Sequence, residues 1–308
     1  MLGGRTTSIL SRKGELAIED ALTIEEATRR VVTAFPQLAG MQVELLGEGY
    51  DFQVFEVGAT WAFRFPKREQ VSVKLDMESR LLPDLADWLS LPVPNYECLA
   101  QSNSGRPFAQ YRKLPGVPGD VVDVVDRDAV ARQLGLFLTE LHAYPVDKAR
   151  DAGVPEESNL VAGWRLRSLE RLDRITQSAV DLPDVRSYLE DESPSPFEGL
   201  PRLVHNDLWA EHVLIDARTG SVSGIVDWGD ALVSDPAVDF ACLFTWYGER
   251  WLGCVLDSYS GRADSQIIVR ARYLAACLAI HSILLGQEMG HSRWIEAGEE
   301  ALRWTLSA

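Results

Sequence analysis

This chain is constrained above all by short apolar runs that end directly in acids and imidazoles. Residues 203–216 read L-V-H-N-D-L-W-A-E-H-V-L-I-D, residues 223–230 read S-G-I-V-D-W-G-D, and residues 235–240 read D-P-A-V-D-F. Leu203 and Val204 precede His205; Val213, Leu214 and Ile215 follow His212; Ile225 and Val226 precede Asp227. Apolar runs this short fit buried strand ends better than helices. Their ionisable neighbours then stand at a sheet edge, where burial is costly unless each group is paired or bound to a metal. Any one of them is ordinary as a cap or a buried hydrogen-bond partner. Together they point to a catalytic centre.

The flanking sequence assigns an architecture. A length of 308 residues suits two domains or lobes at about 150 residues each. Thr23 reads as an N-cap, with Glu25 and Glu26 in the first turn and an apolar face through Ala27, Val31 and Val32. Strands are expected over 41–46, 53–57 and 60–65, the last two joined at Gly58 and Ala59. A helix over about 71–89 follows, broken by Pro92 and Pro94, and two more strands near 96–100 and 107–112 flank a turn at 102–105. The sequence L-P-G-V-P-G at 114–119 is dense in breakers and marks a boundary. Beyond it Val130, Leu134, Phe137, Leu138 and Leu141 keep a 3.6-residue period. Further helices near 163–178 and 184–192 precede a Pro/Ser loop, the β-rich island at 203–227 and three closing helices. The segment at about 264–287 is apolar nearly all round and is expected to be buried. The fold class is α+β: residues 1–115 form a small antiparallel-sheet lobe, and residues 116–308 a mostly helical one.

Composition excludes several classes. Thirty Lys and Arg against 46 Asp and Glu give a net charge of −16, the wrong sign for a nucleic-acid partner. The excess is uneven: residues 1–115 carry a net −2 and residues 116–308 a net −14. An acidic second half suits a cationic small molecule as well as it suits solubility. Four scattered cysteines and no CxxC describe a reduced, intracellular protein. Residues 1–20 lack the apolar stretch of a signal peptide, and the most apolar segment, 271–286, is interrupted by Arg272 and His281 and reads as too short to span a bilayer. A cytoplasmic protein without membrane contact is expected.

Two chemistries fit the dense motif. In phosphoryl transfer, Asp207 is the carboxylate at the attacking hydroxyl, while His212 and Asp227 hold metal. In metal-dependent hydrolysis, His205, Asp207, His212 and Asp227 are ligands. Hydrolysis leaves the first lobe without a task. That lobe offers L-G-E-G-Y-D, whose Gly47 and Gly49 let backbone amides approach phosphate, although the third glycine of a GxGxxG pattern is missing. It also offers W-A-F-R-F-P-K, with Arg64 and Lys67 at an odd offset that turns them to opposite faces of a strand. Glu78 on the next helix is placed to pair with a strand cation.

The motifs H-N-D-L-W-A-E-H and G-I-V-D-W-G-D, with R-F-P-K and the T-E-L-H-A helix end at 139–143, resemble the aminoglycoside and macrolide phosphotransferases over roughly residues 40–305. These antibiotic kinases have the protein-kinase-like two-lobed fold. The resemblance implies that Asp207 orients or deprotonates the antibiotic hydroxyl and that Asp227 bridges Mg²⁺ to the phosphates of ATP or GTP. It also puts His212 at a metal position where many members carry Asn; imidazole is an unusual ligand for hard Mg²⁺. Arg64 stands where kinases generally carry Lys. Tyr111, Arg112, Lys113 and Leu114 resemble the interlobe hinge whose backbone bonds the purine.

The acceptor is expected between Asp230 and the C-terminal helices. Asp230 or Asp235 is able to receive an amine, although Asp235 and Asp239 also suit capping and turn roles ahead of a helix. Phe244, Trp246, Tyr247 and Trp251 surround a single acid, Glu249, which is more similar to macrolide phosphotransferases. H-N-D and W-G-D are more similar to the aminoglycoside 2″ group. The 2′-hydroxyl of a macrolide, inactivated so as to confer resistance, is the leading expectation. An aminoglycoside 2″-type phosphotransferase comes next, then another amine or sugar kinase, then a metal-dependent hydrolase or a non-catalytic nucleotide-binding protein.

Overall fold

The computed structural model describes residues 21–101 and 106–307. The expected turn at 102–105 and the residues read for a signal peptide lie outside that range. Helix α1 (Ile24–Ala34) opens where Thr23 predicts, its hydroxyl oxygen accepting the Glu26 N–H at 3.2 Å. Strands β1 (Val43–Glu48), β2 (Phe52–Val57) and β3 (Trp61–Pro66) then run antiparallel, and Gly58 and Ala59 both take left-handed backbone at the turn between β2 and β3. Helix α2 (Ser72–Trp88) follows, then β4 (Tyr96–Gln101) and β5 (Pro107–Arg112). They complete a five-stranded sheet in the order β1-β2-β3-β5-β4. Phe55, Phe63, Phe65 and Phe108 pack from this sheet against Val31 and Phe35 at the α1 end.

After the breakers, β6 (Val117–Pro118) leads to α3 (Arg127–Ala143), whose periodic apolar residues are all buried. Helices α4 (Val146–Asp151), α5 (Leu160–Leu172) and α6 (Leu182–Asp191) follow. Helix α5 stops six residues before the expected 178, and α4 is an element that periodicity does not reveal in so short a segment. The β-rich island folds into β7 (Arg202–Val204), β8 (Val213–Ile215), β9 (Val222–Ile225) and β10 (Leu232–Ser234). These strands form two small sheets, β10-β7 and β6-β8-β9. Helices α7 (Ala237–Asp257), α8 (Ile267–Met289) and α9 (Ser292–Leu306) close the chain. This is the protein-kinase-like two-lobed arrangement. The largest apolar core nevertheless joins residues on both sides of position 115, because Leu81, Leu82 and Leu85 of α2 pack with α3 and the helices beyond.

Helix α8 corrects one expectation. It runs 23 residues with mean hydropathy 1.6, long and apolar enough to cross a membrane, where the sequence reads as too short. In this fold 72% of that apolar window is buried inside the molecule. Arg270 and Arg272 sit in the helix because acids from other elements meet them. Helices α3 and α7 approach so closely that a Cβ at Gly135 would stand 2.3 Å from the Val255 carbonyl oxygen. Gly135→Ala is therefore expected to destabilise the fold by about 1–3 kcal/mol, measured as a lower urea midpoint.

Candidate active site

Strand β7 ends at Val204 and β9 at Ile225, and each is followed by a sharp turn. Asn206 and Asp227 adopt φ of 64° and 63°, left-handed conformations that cost energy outside glycine and are found where side chains must be aimed. Asp239, fully buried on α7, holds the first turn by accepting the His205 and Asn206 amides at 3.0 and 2.8 Å. His142, at the end of α3, bonds the same carboxylate at 3.1 Å. The T-E-L-H-A helix end thus anchors the turn at 205–207 from behind, and Asp239 takes the structural role its position ahead of a helix suggested.

Asp207, His212 and Asp227 come together in front of these turns. His212 Nδ1 donates to the Asp207 carbonyl oxygen at 2.6 Å and lies 3.4 Å from Asp207 Oδ2. Its Nε2 lies 3.9 Å from Asp227 Oδ2. The Asp207 carboxylate accepts no hydrogen bond from the described residues. Burial pushes this carboxyl up to about 7. Burial also pulls the His212 imidazole down, but Asp207, Asp227 and Glu211 more than reverse that and hold it at about 9. Asp227 is driven the other way. Its burial penalty is overcome by Arg64 and His212, and it stays charged well below the usual carboxylate range.

Arg64 reaches Asp227 from the opposite lobe. It is 5% exposed on β3, stacks on the Phe52 ring at 3.7 Å, and one guanidinium nitrogen bonds Asp227 Oδ1. Its Nε lies 3.6 Å from Glu78 on α2 and is buried without a hydrogen-bond partner. Burial raises Glu78 to about 7 against the pull of Arg64, and Tyr96 donates its hydroxyl to Glu78 at 2.9 Å. Lys67 is not part of this group. It follows the end of β3 and pairs with Glu48 beside the glycine turn. Gly47 and Gly49 have open space where side chains would stand.

The sequence reading missed Lys74. Its ammonium bonds Asp51 Oδ2 at 2.7 Å and Asp230 Oδ1 at 2.6 Å, spanning from the glycine turn to the segment after Asp227. A Cβ at Gly229 would touch both Lys74 and Arg64, at 3.3 and 3.4 Å, so the two cations converge there. The signal was available: Lys74 precedes Glu78 by four residues and so shares its helix face. At the expected hinge, Tyr111 is buried, and Arg112 turns outward over Trp61 at 4.8 Å. The Lys113 amide is already spent on the Thr60 carbonyl, and its side chain pairs with Glu56. Leu114 packs beside Gly224.

The acids expected at the acceptor are mostly occupied. Glu249 is paired with Arg272 from α8, Asp230 with Lys74, and Asp235 with Arg270 at 2.6 Å. Trp246 and Tyr247 stack at 5.1 Å and pack with Trp251, where α7 is broken by a left-handed Gly248. The edge of Trp246 also comes close to Gly119, beside the Ala210 carbonyl of the segment that follows Asp207. Two other acids stand nearer that segment. Glu211 accepts the Trp294 indole N–H at 3.0 Å, and Asp120 is 4.0 Å from Arg293, its carboxyl raised by burial and by Glu211.

The four-ligand hydrolase set fails on His205. Its ring is fully buried against Trp228, Nδ1 accepts the Asp207 amide at 3.3 Å, and Nε2 donates to the Val226 carbonyl at 3.1 Å. Burial lowers it to about 4, so it is a neutral spacer with no lone pair to give.

Comparison with known proteins accords with this geometry. The family model described as phosphotransferase enzyme family matches residues 42–275. Viomycin phosphotransferase of Streptomyces vinaceus is 28% identical over 226 residues, 69% of this chain and 75% of that protein. Among solved structures, the GDP and kanamycin complex of APH(2")-IIia is similar with a TM-score of 0.75 and 30% identity, over 91% of this chain and 98% of that one. A macrolide 2'-phosphotransferase type I is similar with a TM-score of 0.65 and 26% identity, over 90% and 97% respectively. With so much of its length matched, and its two-lobed fold shared with these enzymes, the chain belongs to the phosphotransferase enzyme family.

Proposed function

We propose that this phosphotransferase transfers the γ-phosphoryl group of ATP or GTP to a hydroxyl of an antibiotic. The observation that carries the reading is the Asp207 carboxylate, free of hydrogen bonds among the described residues, with only His212 at 3.4 Å beside it, and set next to an Asp227 that Arg64 engages from the other lobe. A free carboxylate is able to accept a substrate hydroxyl and hold it in line, and positioning with charge neutralisation supplies most of the rate in phosphoryl transfer. In this reading residues 1–115 bind nucleotide and residues 116–308 bind acceptor.

The residues present fit a nucleotide with Mg²⁺. Among the described residues Arg64 Nε is a buried donor with nothing to bond and Asp227 Oδ2 receives no hydrogen bond; His212 Nδ1 is used on the Asp207 carbonyl, and Nε2, kept protonated by the surrounding carboxylates, becomes a ligand once an incoming cation displaces its proton. Asp227 and His212 would hold the cation; bound with nucleotide, it supplies charge neutralisation at the phosphates. Arg64 grips phosphate as a fixed fork, Glu78 steadies Arg64, and Gly47 and Gly49 leave their amides approachable. Lys74 adds a second cation at Gly229. Lys74→Met is accordingly expected to weaken nucleotide binding about tenfold or more, measured by calorimetry with Mg²⁺ present.

For the acceptor, the aromatic edge of Trp246 and the exposed Val121 and Val125, with Asp120 and Glu211 nearby for a single amine, support a macrolide. Aminoglycoside 2″ chemistry is the second reading, favoured by the higher similarity to the kanamycin-complexed structure. Nucleotide consumption is to be followed with ATP and GTP across macrolides, aminoglycosides and simple amino alcohols. Antibiotic-dependent turnover is expected. Nucleotide binding without consumption in any arm would overturn the catalytic reading.

A further inference from the structure

Arginines withdrawn from solvent elsewhere in the helical part have partners: Arg270 meets Asp235 and Asp264, Arg272 meets Glu249, and Arg165 donates to the Leu189 carbonyl. Two others on α5 differ. Among the described residues, Arg167 and Arg171 have neither a hydrogen bond nor a carboxylate within ion-pair distance. Both guanidiniums lie over Trp164, 4.8 and 5.2 Å from its centroid. Arg171 Nη1 is sealed from solvent with no partner. His281, on the neighbouring α8, packs on the same indole at 5.9 Å. All four side chains are half-buried, so the group is open to solvent on one side.

Burial lowers both arginines, and the charge of Arg167 adds to the effect on Arg171, which falls to about 10. Burial and these two cations also hold His281 down at about 3. A chain with 46 acids does not lack counter-charges, yet here Glu157 and Glu170 act only from a distance, without an ion pair among the described residues. A half-buried charge left unpaired costs stability, so its retention points to a partner from outside the chain. Guanidinium forks match carboxylate and phosphate oxygens, and a neutral imidazole is able to add a third donor.

We propose that Trp164, Arg167, Arg171 and His281 form a binding site for an oxyanion, the carboxylate or phosphate group of a small molecule. The site is distinct from the Arg64 cleft, and it does not depend on the reading of that cleft. A line of contacts joins it to the catalytic segment: Ser282, next to His281, donates to the Trp294 carbonyl at 2.8 Å, and the Trp294 indole bonds Glu211.

Calorimetry on the full chain with inorganic phosphate and with succinate tests the proposal, run with and without a non-hydrolysable nucleotide analogue and Mg²⁺. Saturable one-to-one binding of at least one probe is expected, unaffected by the analogue. R171Q and the R167Q/R171Q pair should weaken it about tenfold or more while leaving analogue affinity unchanged. Tighter phosphate assigns a phosphate-bearing ligand, and tighter succinate a carboxylate. In anion-free buffer R171Q should unfold at a midpoint equal to or above that of the parent, because an unpaired charge is removed. No saturable binding in the millimolar range, equal binding by the double variant, or a markedly lower R171Q midpoint would overturn the assignment.

Discussion

Asp207→Ala is expected to lower kcat by about a thousandfold while nucleotide affinity stays within about threefold of the parent. The carboxylate receives no hydrogen bond from the described residues, so truncation strands no buried donor among them. Burial already raises its pKa, and Asp230, Asp227 and Glu211 add to that, so truncation relieves desolvation and repulsion while His212 loses one of the three acids around it; the unfolding midpoint should move little. Arg64 keeps its contact with Asp227 and Lys74 its contact with Asp230, and these are the groups assigned to the nucleotide. Single-turnover assays with saturating nucleotide separate the two effects. Near-normal turnover in this variant would sink the role given to Asp207.

Arg64→Met should damage both stability and binding. The guanidinium lies between Glu78 and Asp227, and its loss leaves two carboxylates without their strongest counter-charge. Removing one partner of a buried ion pair typically costs about 3–5 kcal/mol. Glu78 moderates that figure by taking up a proton, since burial has already raised it to about 7. A fall in kcat/KM of at least about a hundredfold is expected alongside the lower urea midpoint. Arg64→Lys should recover part of the stability and less of the activity, because one ammonium does not span both acids as the fork does. Lys67→Met supplies the contrast: its contact with Glu48 lies outside this cluster, and a large effect there would reassign the phosphate cation.

The motif proposed to carry the chemistry was legible because its signals are local. Alternation, breakers and the 3.6-residue period placed the strands around Arg64, the helix bearing Glu78 and the turns after Val204 and Val226, all within a few residues. The same locality explains the misses. Helix α8 reads as too short because Arg272 looks like an interruption until Glu249 is brought against it, and that pairing also removes Glu249 from the acceptor. Lys74 meets Asp230 across 156 residues, a pairing that no local signal encodes.

Residue order alone established the two-lobed α+β architecture and put Asp207, His212 and Asp227 in one segment. Backbone preference and apolar spacing act over a few residues, and such properties are written in the chain. Which charges meet was settled only on folding. Arg64 rather than Lys67 reaches Asp227, across 163 residues, because β3 ends before Lys67 and the lobes close over the other face. His205 became a buried spacer for the same kind of reason: both ring nitrogens found backbone partners that no spacing rule foresees. Charge pairing depends on through-space distance and burial, and neither exists until distant elements pack together.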